Sequence, residues 1–105
     1  MTLRPLVHPE ADAEFLDAVR FYQTRINGLG DEFDAEVARA VDDAVWNPDA
    51  WPKIPGWDRL PVVRSRKVNV LPYRVIYFVR DDELVIVAFA DQGRRPGYWK
   101  QRIAD

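Results

Sequence analysis

At 105 residues, 48% hydrophobic and 30% charged, the chain is expected to form one globular domain spanning 1–105, large enough for a real core. It contains no cysteine, which excludes disulfides and thiolate metal sites and points to a reducing compartment. The opening MTLRPLVHPEADAEF has no long apolar region and no window approaches a membrane span, so a cytoplasmic protein without membrane contact is expected. The net charge of −2 conceals an asymmetry. Residues 1–58 hold five Lys/Arg against twelve Asp/Glu, a balance of −7, and residues 59–105 hold ten against five, a balance of +5. Such a split is either a solubilising pattern or the mark of a polar partner for the basic half.

In chain order, Leu3 to Val7 is a candidate first strand, which Pro5 confines to a sheet edge or a strand end. His8-Pro9-Glu10 reads as a helix start, with Glu10, Asp12 and Glu14 near the positive end of the helix dipole. Ala11, Phe15, Ala18, Val19, Tyr22 and Ile26 then fall on one helical face. Asn27-Gly28 stops this helix, since glycine accepts the positive φ of a helix end. A second helix is predicted from Gly30 or Asp31 to Trp46, with Phe33, Val37, Ala40, Val41 and Ala44 on its apolar side and Asn47-Pro48 ending it. The two make an acidic antiparallel hairpin whose apolar seam needs a sheet to pack against. Residues 48–61, PDAWPKIPGWDRLP, read as a packed connector in which Trp51 and Trp57 cover apolar surface.

Val62 to Ala90 organises the rest. It holds three apolar runs of strand length, interrupted by Pro72 and by Asp81-Asp82-Glu83. The first run, Val62 to Leu71, alternates, with Arg64 and Arg66 pointing one way and Ser65 and Lys67 the other. If Asp81-Asp82 is a two-residue turn, Arg80 faces Glu83, Phe78 faces Val85, Tyr77 faces Ile86 and Ile76 faces Val87. The last two strands are apolar on both sides. One side packs under the helices; the other needs a further element, a partner, or exposure as a binding surface. The tail, Asp91 to Asp105, is basic and aromatic. The fold class expected is therefore α+β, a helix hairpin on one face of a small, mainly antiparallel sheet, in the order β-α-α-β-β-β.

Little in the sequence suggests catalysis by side-chain proton transfer. The one histidine, His8, sits at a helix start, where capping is its ordinary role. The carboxylates lie mostly at solvent spacing on helices, so no metal site and no cofactor are expected. Gly28-Leu29-Gly30 joins two helices and is a turn, not a phosphate loop. Ser65 is the only serine. What stands out is a basic and aromatic set: Arg64, Arg66, Lys67, Tyr73, Arg74, Tyr77, Arg94, Arg95 and Tyr98. Guanidinium and phenol groups on a strand face suit the binding of phosphate, bases or an acidic peptide.

Over nearly its whole length the chain resembles the RelE/ParE toxins of bacterial type II toxin–antitoxin systems, closest to the ParE-like, plasmid-stabilisation branch. The resemblance rests on HPEADAEFLDAVRFY after an opening strand, GLGDEF at the second helix, VVRSRKVNVLPYRVIYFV, and the closing AFADQGRRPGYW. Asp91 stands where many relatives carry histidine, and Leu71 where Phe commonly precedes Pro-Tyr.

The resemblance implies a toxin neutralised by a cognate antitoxin, in a hetero-oligomer. Its target would be DNA gyrase, bound rather than chemically altered; the alternatives are ribosome-dependent messenger RNA cleavage and a non-toxic relative that only binds antitoxin. The missing histidine favours gyrase, because RelE-type cleavage needs groups that move protons and arginine cannot. Tyr73, Tyr77, Tyr98 or Lys67 would have to substitute. Target-binding residues are expected at Arg64, Arg66, Lys67, Tyr73, Arg74, Arg94, Arg95 and Tyr98. Val75, Ile76, Tyr77 and Phe78, apolar on both faces, are expected to form the antitoxin-binding surface. On that reading the isolated chain would leave one sheet face wet and self-associate.

Overall fold

The computed structural model describes residues 2–103. The expected order of elements is present: β1 (Arg4–Val7), α1 (Pro9–Arg25), α2 (Leu29–Trp46), β2 (Arg64–Lys67), β3 (Tyr73–Arg80) and β4 (Glu83–Asp91). The sheet runs β1-β4-β3-β2, with β1 parallel to β4 and the other pairs antiparallel. Pro5 lies on the outer strand, as its missing N–H requires.

Local chemistry sets the helix ends. Nδ1 of His8 accepts the Glu10 backbone N–H at 3.1 Å, and Pro9 opens the first turn of α1. Gly28, at φ +88°, turns the chain into α2, which begins one residue earlier than the spacing suggested. Gly30 serves the crossing itself. A Cβ there would lie 2.6 Å from Gln23 Oε1 and 2.9 Å from the Val19 carbonyl oxygen, so only glycine lets the helices approach this closely.

The helix hairpin covers one face of the sheet. Phe33 is fully buried, stacked 5.8 Å from Phe15 and edge-on to Tyr73 at 5.0 Å, over Val75, Tyr77, Leu84 and Ile86. The opposite face is also covered, by the chain itself. Trp57 from the connector and Trp99 from the tail meet at 5.6 Å over Ile76, Phe78, Val85 and Val87. Val75, Ile76, Tyr77 and Phe78 are each no more than 4% exposed. This corrects the expectation that they form an open antitoxin-binding surface, and removes its premise for self-association. A strand pair apolar on both sides needs two covers, and the connector and tail supply the second.

Two strand details also differ. The Asp81-Asp82 turn gives the expected pairs Arg80–Glu83, Phe78–Val85 and Tyr77–Ile86, but Ile76 lies opposite Ala88 rather than Val87. A bulge places Val87 and Ala88 together on the tail-covered face and returns Phe89 to the helix side, 5.4 Å from Phe15. The run from Val62 forms a strand only over Arg64–Lys67. Val70, at φ +69°, turns the chain away at one end. At the other, the connector runs along the outer edge of β2, where the Ile54 N–H donates to Val63 O and the Ser65 N–H to Pro52 O. The connector is packed, as expected, and it closes that edge against other chains.

Candidate functional site

Where the connector, the ends of β3 and β4 and the tail meet, they leave an open cleft of about 720 Å³. Arg74 reaches it from β3, Arg94, Arg95, Tyr98 and Lys100 from the tail, and Lys53 from the connector. The Arg74 guanidinium donates to Ser65 Oγ at 3.1 Å and, among the described residues, has no carboxylate partner. The two most buried arginines, Arg66 and Arg102, are both neutralised by carboxylates. Arg74 is thus a half-buried cation directed into a cleft that holds more cations, an arrangement suited to an anionic group.

The tail owes its position to a residue of α1. Glu14 accepts the Phe89 backbone N–H at 3.2 Å, the Tyr98 hydroxyl at 2.7 Å and the Arg102 guanidinium at 3.1 Å, and lies 3.6 Å from Arg94. Arg102 also donates to the Val87 carbonyl at 2.9 Å. This network fastens the tail to a helix and to the sheet together. Burial, then the bond to Glu14, pushes the Tyr98 phenol well above its ordinary range. Its hydroxyl is a donor to Glu14, not a group poised to exchange protons.

The eight expected target-binding residues therefore separate. Arg74, Arg94, Arg95 and Tyr98 converge on the cleft. Arg66 is buried, pairs with Asp43 at 2.8 Å and lies 4.6 Å over the Trp51 ring, so it joins β2 to α2 rather than facing a target. Arg64 donates to the Trp51 carbonyl at 2.8 Å and lines a smaller groove beside Tyr77 and Val79. Tyr73 packs against Tyr22 and Phe33, and burial pushes its phenol up to about 12. Lys67 is exposed and outside the cleft. Strand alternation is the physical reason. With Arg64 and Arg66 turned toward the helices, Ser65 and Arg74 take the cleft side.

Lys53, Lys100, Glu14 and Arg102 were not singled out from the sequence. The two lysines are about 47 positions apart in irregular segments, with no local periodicity to link them. Glu14 had a weak signal: it borders the apolar stripe of Ala11, Phe15 and Ala18, an unusual place for a purely solvent-facing acid. Asp91 ends β4. Its Oδ1 accepts the Gly93 N–H at 2.8 Å and its carbonyl the Arg94 N–H at 3.0 Å, so it shapes the turn that presents Arg94. His8 remains at its helix cap and is not among the cleft residues. Among the described residues no cluster of three or more His, Asp or Glu is placed to hold a metal, and no helix is long and apolar enough to cross a membrane.

Comparison with known proteins places this architecture. A solved structure described as the chromosomal ParDE TA system from P. aeruginosa superposes with a TM-score of 0.70 at 14% identity, covering 86% of this chain and 96% of that one. At that identity the likeness speaks for the fold. No curated protein matches the sequence. The family model described as "ParE toxin of type II toxin-antitoxin system, parDE" matches residues 6–96, which takes in the end of β1, both helices, β2 to β4 and the start of the tail; the chain belongs to the ParE toxin family.

Proposed function

We propose that this ParE-family chain acts as a toxin by binding DNA gyrase through the basic cleft, without chemistry of its own, and that a cognate antitoxin neutralises it. The observation that carries this reading is the character of the cleft. Arg74, Arg94 and Arg95, with Lys53 and Lys100, supply positive charge, and the phenol among them, Tyr98, is committed to Glu14. A general acid or base works best with a pKa near the working pH. Arginine lies far above it, and burial moves Tyr98 further away. The other phenols named as substitutes fare no better: Tyr73 is wedged among rings, and the Tyr77 hydroxyl donates to the Pro48 carbonyl at 2.6 Å, inside the core. Cleavage of messenger RNA on the ribosome is therefore the weaker alternative. An acidic antitoxin segment would fit the same cleft, whereas the strand Val75 to Phe78, buried by the chain itself, offers it no open surface.

Inducing the chain alone in bacteria, together with a supercoiling assay on purified gyrase, tests the reading. Filamentation with an SOS response and inhibited supercoiling are expected, both relieved by co-expressing the protein encoded next to it. Cleaved messages with active gyrase would transfer the assignment to the ribonuclease. Unaffected growth would leave a non-toxic antitoxin binder.

A further inference from the structure

The basic cleft holds charge that the chain does not compensate. Arg4, Arg66, Arg80 and Arg102 each meet a carboxylate, whereas Lys53, Arg74, Arg95 and Lys100, all lining the cleft, meet none among the described residues. Arg94 alone of the cleft's cations is engaged, 3.6 Å from Glu14. The lining therefore stays positive with Arg94 and Asp91 both set aside. Beneath this charge the cleft is apolar. Ile76 and Ala90 from the sheet, Ile54 from the connector and Trp99 from the tail line it, and all four belong to the tail-covered core. Ile76 and Trp99 are buried while Lys53, Arg95 and Lys100 are exposed, which gives an aliphatic floor under a cationic rim. The walls are stiff: Pro52, Pro55 and Pro96 stand in them, and the connector is bonded to Val63 and Ser65.

We propose that the cleft recognises a short protein segment in two parts, with Asp or Glu side chains on Arg74, Arg95 and the lysines and an aliphatic side chain on the floor of Ile54 and Ile76. The inference rests on the cleft being a contact surface, as in the reading above, and adds the chemistry of what it takes. The Arg74 guanidinium has only Ser65 Oγ for a partner, so further N–H groups remain for a carboxylate in fork geometry. Charge alone would accept any anion; the floor is what selects. A bare phosphate leaves Ile54 and Ala90 wet, whereas a leucine-sized side chain covers them. Nucleic acid is the poorer occupant. Its bases need ring faces to stack on, and the Tyr98 ring already has Arg94 at 4.0 Å and Arg102 at 5.1 Å. The balance of −7 over residues 1–58 also repels a long polyanion, but not a segment confined to the cleft. Stiff walls lower the ordering cost of binding.

The probe is a capped pentapeptide, acetyl-Asp-Leu-Glu-Leu-Asp-amide, titrated into the whole chain while the methyl resonances of Ile54 and Ile76 and the indole N–H of Trp99 are followed by NMR. An amide counterpart (Asn-Leu-Gln-Leu-Asn), a serine counterpart (Asp-Ser-Glu-Ser-Asp) and a short thymidine oligonucleotide are run alongside. Saturable shifts are expected with the first peptide at roughly millimolar concentration or below, the range of a few weak contacts. Each of the other three should bind at least about fivefold more weakly, and salt should weaken the acidic peptide. Arg74→Gln and the exposed Lys53→Gln should each reduce affinity severalfold, while Lys67→Gln, outside the cleft, should leave it unchanged. Equal affinity for the amide or the serine counterpart, tighter binding of the oligonucleotide, no saturable shift, or undiminished binding by both cleft variants would each overturn the proposal. The supercoiling assay keeps the two readings apart: selective peptide binding by a chain that leaves gyrase active supports this site and overturns the gyrase assignment.

Discussion

The two faces of the sheet are closed by different kinds of structure. On one, two regular helices lay an apolar stripe over β3 and β4, with Phe33 at the centre of contacts to Phe15, Tyr22 and Tyr73. On the other, an irregular connector and tail each contribute one tryptophan, and a charged network from Glu14 to Arg102 and Tyr98 ties the tail down. A helix satisfies its own backbone and needs only side-chain burial to dock. Irregular segments must find partners for backbone and side chains alike. The buried carboxylate and guanidinium therefore do for the tail what periodicity does for the helices. The candidate site follows this division: the basic cleft opens between the connector, the tail and the strand ends.

The comparison can be broken most severely at the centre of the helix face. Phe33→Ala should destabilise the fold by about 3–5 kcal/mol, as for a fully buried aromatic ring, read as a large drop in the denaturant midpoint. An almost unchanged midpoint would show that the helix side is not the principal core. Arg102→Ala takes the buried guanidinium from Glu14 and leaves it the Tyr98 hydroxyl, the Phe89 N–H and Arg94; loss of one member of a buried pair costs roughly 3 kcal/mol. Here the expected damage is regional. Hydrogen exchange should rise in the tail and in the Trp57 segment before it rises in α1 and α2, and a uniform rise would erase the distinction between the covers.

Alkaline pH should probe the helix face through its tyrosines. Burial pushes the Tyr73 and Tyr77 phenols up to about 12, against about 10 in an unfolded chain. Above pH 10 the unfolded state releases these protons first, so the folded state binds more. Stability from this source is complete below about pH 10 and is lost as pH rises toward 12. Urea midpoints should stay level from pH 7 to 9 and then fall. The paired substitution Tyr73→Phe and Tyr77→Phe should make that decline shallower and leave the part due to Tyr98; an equally steep fall would assign all of it to other groups.

The smallest effect on stability belongs to the cleft. Arg74→Ala with Arg95→Ala should change stability by within about 0.5 kcal/mol per site, as for surface positions, while abolishing growth inhibition. Arg66→Ala is the contrasting change. It removes the Asp43 pair and the Trp51 contact and should lower stability clearly, so any loss of toxicity there would follow from the fold. Full toxicity of the Arg74/Arg95 variant would detach the cleft from function.

Much of this architecture could be read from the residues alone, because it depends on local periodicity. Spacings of three and four set out α1 and α2, Asn27-Gly28 and Asn47-Pro48 marked their ends, and Asp81-Asp82 placed the hairpin that aligns Tyr77 with Ile86. The order of motifs also carried the family, which the match over residues 6–96 shows. Three things were decided only by tertiary structure. A bulge at Val87-Ala88 shifted half of β4 by one residue, since one inserted residue reverses every side chain beyond it. The cover over Ile76 and Phe78 came from segments without periodicity, so burial of those strands by the chain itself left no pattern to read. The basic site was sorted by which side of the sheet each arginine faces. That alternation sent Arg66 to Asp43 and Arg74 to the cleft, and long-range packing brought Lys53 and Lys100 beside it.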